Sequence, residues 1–153
     1  MEHNHGFDAF EMQLTETSKG FLREIAKWAY FLSIIGFIMV GLFVIGALAF
    51  GSIFAAAGSM GGTMGALGAM GGTFITLFYL LLAAVYFFPV YYLYKFSSNA
   101  KTAFRNNDTE SLTRSFGYLK SHYKFLGILT IVFIALYVLV IMFSILGAAS
   151  SLV

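Results

Sequence analysis

The placement of charge constrains this chain more than any other feature. Every Asp, Glu, Lys and Arg lies in one of two blocks, from Glu2 to Lys27 and from Lys95 to Lys124, so residues 28–94 and 125–153 carry no formal charge. A soluble domain has about 25% charged residues; here the share is 10%, against 59% hydrophobic. A helix crossing the hydrocarbon core needs ~20 largely apolar residues. The stretch 125–153 therefore holds one span, and 28–94 holds at least two.

Three spans within 28–94 would put the two charged blocks on opposite faces of the membrane. Lys19, Arg23 and Lys27 mark one cytoplasmic segment, and Lys95, Lys101, Arg105, Arg114, Lys120 and Lys124 mark another. The positive-inside rule asks for both on the same side, which two crossings satisfy. The expectation is an all-α membrane protein with three transmembrane helices at about 28–53, 73–94 and 125–150. The N-terminus and a hairpin at 95–124 are cytoplasmic. A Gly-rich connector at 54–72 and the C-terminus are extracytoplasmic. Residues 1–18 form an acidic polar tail with Glu2, Asp8, Glu11 and Glu16 and no basic n-region, so no cleavable signal peptide is expected. Residues 19–153 make one integral-membrane domain. The absence of cysteine excludes disulfides and thiol chemistry.

Local patterns refine this plan. Phe21, Leu22, Ile25, Trp28 and Ala29 line one helical face opposite Arg23, Glu24 and Lys27, predicting an N-terminal interfacial helix that feeds the first span. Trp28, Tyr30, Tyr91, Tyr92 and Tyr94 sit where interface anchors belong. Pro89 predicts a kink in the second span, because it lacks an amide donor and crowds the preceding turn. In the cytoplasmic segment, Asn106, Asn107 and Asp108 signal a turn, with Asp108 or Thr109 as cap of the next helix. Leu112, Phe116, Leu119 and Tyr123 then repeat with helical spacing, opposite a stripe of Phe96, Ala100, Ala103 and Phe104. The two stripes predict a short hairpin stalk of ~15 Å beyond the bilayer.

The connector is the least ordinary segment. Seven of the fifteen residues 58–72 are glycine, each costing ~1 kcal/mol relative to Ala in a helix. Were the segment one helix, Gly58, Gly62, Gly65, Ala69 and Gly72 would share a face, the small-residue pattern by which membrane helices approach closely. A flexible loop, a re-entrant segment and a packed collar all remain open.

Chemistry-bearing constellations are sparse. The spans offer hydroxyls such as Ser33, Thr76, Thr130 and Ser144 with no acid or His at the same depth, and such hydroxyls usually bond back to their own helix. His3 and His5 make a weak metal pair, and no phosphate-binding loop is present. The expectation is a non-enzyme with no cofactor, no metal and no nucleic-acid partner.

The stretches "FLREIAKWAYFLSIIGFIMVG", "YFFPVYYLYKFS" and "KTAFRNNDTESLTRSFGYLKSHYKFLGILTIV" resemble a family of small bacterial integral membrane proteins of unknown function, over roughly residues 20–145. The resemblance implies a bacterial cytoplasmic membrane and carries no activity or binding residues. The function that best fits is association, as a homo-oligomer or an accessory subunit of a larger membrane complex. The alternative is a homo-oligomeric pore with 58–72 near its mouth, and a weaker third is an adaptor whose basic hairpin recruits a cytoplasmic protein.

Overall fold

A computed structural model describes residues 15–59 and 61–150. Three long helices account for almost all of them: α1 (Glu16–Gly58), α2 (Gly62–Asn106) and α3 (Thr109–Ser150). Each is long and apolar enough to cross a membrane, and the spans anticipated at 28–53, 73–94 and 125–150 fall inside them. The 43 residues of α1 extend ~65 Å at 1.5 Å per residue, about twice the ~30 Å hydrocarbon core. Residues 16–27 are the first turns of α1; among the described residues no separate N-terminal helix precedes the span.

The ends of the helices follow from local chemistry. Thr15 caps α1, its hydroxyl oxygen accepting the Ser18 amide at 3.2 Å. At the far end Gly61 and Gly62 adopt positive φ (73° and 66°), a region closed to most residues with a Cβ. The stretch 58–72 is therefore not one helix: α1 ends at Gly58, α2 begins at Gly62, and these two glycines belong to different helices. The second turn is tighter. Asn107 takes the left-handed conformation (φ 51°, ψ 41°), which Asn tolerates better than most residues, and Asp108 caps α3 by accepting the amides of Glu110 and Ser111 at 3.0 and 3.2 Å.

Helix α2 lies in the middle, packed antiparallel against α1 on one side and α3 on the other, and among the described residues the α1 and α3 backbones do not approach each other closely. The core sits toward the charged end, where Ala26 and Ala29 of α1 meet Phe96 and Ala100 of α2. Among the described residues Phe96 is the one large side chain that is fully buried. Ser33, Ser97 and Ser115 are also fully buried. Each donates to a carbonyl three residues back, at 2.7, 2.8 and 2.7 Å. Small side chains that satisfy their own hydroxyls let helix backbones approach without stranding a polar group.

Helix α3 turns only part of its apolar stripe inward, with Leu119 packed against the core. Ser111 and Ser115 are buried, whereas Phe116 is 40% and Tyr123 66% exposed. Leu112 and Leu119 are half-buried, as is Phe104. The small face goes inward because it permits the closer approach. Past Phe125, which meets Phe88 of α2 at 6.0 Å between ring centroids, α3 leaves its neighbour, and every residue from 130 to 147 is exposed.

Two outcomes follow from this packing. Phe96→Ala empties the centre of the core and should cost about 3–5 kcal/mol, measured as a lowered unfolding midpoint in detergent. Asp108 is held below its ordinary value of 3.8, chiefly by the hydrogen bond from the Ser111 hydroxyl and then by that residue's amide, with burial opposing. A carboxylate whose folded pKa is depressed contributes stability above its unfolded pKa and loses it as pH falls through the folded value. The stability gap between wild type and Asp108→Ala should therefore be full above about pH 5 and close progressively below about pH 4. Thermal scans across that range check it.

Candidate functional site

At the uncharged end, the glycines of α2 lie against α1. A Cβ built on Gly65 would stand 2.6 Å from the Gly58 carbonyl oxygen, one on Gly68 would stand 3.1 Å from the Gly58 nitrogen, and one on Gly72 would stand 2.7 Å from Phe54 Cβ. Two of these neighbours are backbone and cannot swing aside. Gly62 meets nothing within 4 Å and serves the turn instead. Ala69 falls within α2, but its side chain lies outside the described residues. Gly36 and Gly51 extend the same contact, facing Val90 and Thr76, and the Thr76 hydroxyl lies 2.8 Å from Gly72 O and 3.3 Å from Ala47 O of α1.

Between the glycines and the core, aromatic rings fill the α1–α2 seam. Phe43 meets Tyr86 at 5.6 Å, and Phe37 meets Phe87 at 6.0 Å and Tyr94 at 5.9 Å. Tyr30 also meets Tyr94 at 5.9 Å. Tyr30 and Tyr94 thus join two helices, while Tyr91 and Tyr92 contact each other and Trp28 is 59% exposed. α2 runs on as one helix through Pro89, which is buried. Its carbonyl lies 2.8 Å from Nδ1 of His122, tying α3 to α2 across the point where proline interrupts the helical bonding.

The charged end gathers three helix termini. Glu16 pairs with Lys19 at 2.7 Å, and its carboxyl is held below the usual range first by that hydrogen bond and then by the Lys19 charge. Arg23 lies 5.3 Å over the Phe104 ring, and Lys101 lies 3.5 Å over Tyr30. An apolar groove of about 530 Å³ runs between α1 and α3, with Phe96 in its floor and Ile25, Trp28, Leu119 and Tyr123 on its walls. Among the described residues no group of three or more His, Cys, Asp or Glu is placed to hold a metal. His3 and His5 lie outside the described residues.

Three long apolar helices and no strand among the described residues make this a multi-pass membrane protein by length and composition. Residues 55–145, more than half of the chain, match the model of a family of unknown function, DUF5362, and the chain belongs to that family. No curated protein and no solved structure matches it.

The glycine contact has a direct test. Gly65→Ala and Gly72→Ala should each lower the unfolding midpoint in detergent, by an overpacking penalty of about 1–3 kcal/mol. Gly71→Ala, whose Cβ would find only an ordinary 3.9 Å contact with Phe54, should be neutral or slightly stabilising through helix propensity.

Proposed function

We propose that this is a non-enzymatic integral membrane protein that works by association, as a homo-oligomer or as an accessory subunit of a larger membrane complex. The observation that carries the reading is the distal half of α3. α1 and α2 pair from Arg23 and Phe104 at one end to Gly58 and Gly65 at the other, whereas residues 130–146 are all exposed. Gly65, Gly68 and Gly72 of α2 are engaged with α1 inside the chain, so the assembly surface shifts to α3, with Phe133, Tyr137 and Phe143 among its exposed residues. The same engagement takes residues 65–72 away from the re-entrant role that a pore would need. The basic residues favour a cytoplasmic N-terminus and 95–124 segment in a bacterial inner membrane, with the C-terminus outside. Helices longer than the bilayer favour a cytoplasmic stalk at that end.

The chain has no cysteine, so single substitutions give unambiguous cross-links. Cysteines placed in turn along 130–147 in native membranes should form adducts that recur with one helical face. Native mass spectrometry of the gently extracted complex should then give either an integer multiple of 16.8 kDa or a mass that includes other chains. A single copy by mass, with no adduct from any position, would rule the reading out.

A further inference from the structure

Of the nine Lys and Arg residues, three converge on one flank of the α1–α2 pair. Arg23, Lys27 and Lys101 surround a cavity of about 280 Å³, whose remaining walls are Ala26 and Phe104. Ala26 is 1% exposed, and its single methyl leaves the space that a larger side chain would fill. Two of the three cations lie over aromatic faces, Lys101 over Tyr30 and Arg23 over Phe104, which limits the freedom of these flexible side chains and holds their charge at the cavity. The ion pairs among the described residues are Lys19 with Glu16 and Arg114 with Glu110; Arg23, Lys27 and Lys101 have no such partner. Two acids lie near this flank: Glu24, which lines the neighbouring cavity with Arg23 and Lys27, and Glu16, which pairs with Lys19 and also feels the Arg23 charge.

That neighbouring cavity, about 700 Å³ and open, shares Arg23 and Lys27 and continues along α1 to Trp28 and Phe31. The same face remains apolar toward the middle of the helix, with Ile35, Ile38 and Leu42 all exposed. Cations at one end and a continuous apolar track leading from it reproduce the order of parts in a phospholipid. Basic recesses between membrane helices are where phosphate-bearing headgroups bind. Charge retained only to set topology has no need to gather from two helices around one recess.

We propose that Arg23, Lys27 and Lys101 form a binding site for the headgroup of an anionic phospholipid whose acyl chains lie along the Trp28–Phe31 face of α1. Each near-surface cation favours an anionic lipid by roughly fivefold, so the three together set an upper bound of about a hundredfold enrichment over a zwitterionic lipid.

Trp28 is the only tryptophan in the chain and lines this track, so its fluorescence reports occupancy directly. The full-length protein is reconstituted in phosphatidylcholine vesicles with a minor fraction of lipid brominated near the headgroup end of its acyl chains. That lipid is either phosphatidylglycerol or phosphatidylcholine. Brominated phosphatidylglycerol should quench Trp28 well beyond an equal fraction of brominated phosphatidylcholine. The preference should disappear in the Arg23→Gln, Lys27→Gln, Lys101→Gln triple variant. It should persist in a Lys95→Gln, Lys120→Gln, Lys124→Gln variant that loses the same charge elsewhere, with circular dichroism confirming that both variants keep their helix content. Equal quenching by the two lipids in the wild type overturns the proposal, as does equal loss of preference in the two variants, which marks a diffuse field. Glycerophosphoglycerol added in solution should leave the quenching unchanged; full relief by this free headgroup would assign the site to soluble phosphate esters instead.

Discussion

The distance between the α1 and α2 backbones governs this molecule, and small side chains set it. Lipid gives two apolar helices little hydrophobic reason to meet, so association in the bilayer relies on packing and on the occasional hydrogen bond. Along this seam glycines stand at both the uncharged end and the middle, Gly58 and Gly65 meeting backbone to backbone and Gly36 admitting Val90. Alanines and self-bonded serines take over at the charged end, around Phe96. The aromatic pairs between them fit because the backbones are already close. α3 begins by the same logic, with Ser111 and Ser115 buried, and is then held by larger groups as far as His122 on Pro89 and Phe125 on Phe88.

Much of this plan is legible in the sequence. Two charge-free stretches imply three helices because the cost of burying a charge in hydrocarbon leaves few other readings, and the Asn107–Asp108 turn follows from the backbone preferences of two residues. Two of the three stretches behind the family resemblance, 86–97 and 101–132, lie within the match over residues 55–145, and the one at 21–41 lies outside it. What escaped was partner choice. Gly58 and Gly65 sit seven residues apart and read as neighbours on one helix, but the positive φ of Gly61 and Gly62 sends the chain back so that they face each other from two. That reversal depends on tertiary contact and leaves no period in the sequence. The Leu112–Tyr123 stripe is met only in part. Leu119 packs on the core and Leu112 is half-buried, but the most deeply buried side chains of α3 are Ser111 and Ser115, and Phe116 and Tyr123 are left outside.

The charged end differs in character from the rest. Around Phe96 it has a core, with capped helix ends and satisfied hydroxyls, in the manner of a small helical bundle. Toward the glycine-rich end the chain is a helix pair and, apart from it, the distal length of α3. Cations in and around the compact end are placed by rings as much as by acids, as Lys101 on Tyr30 and Lys95 on Tyr91 show. Such cations remain available to anions from outside the chain, because an aromatic face attracts charge without neutralising it.

The link between His122 and Pro89 fixes more than the position of α3. A carbonyl oxygen has only lone pairs to offer, so the imidazole must be the donor, and Nδ1 carries the hydrogen. The tautomer is thereby chosen by the backbone of another helix.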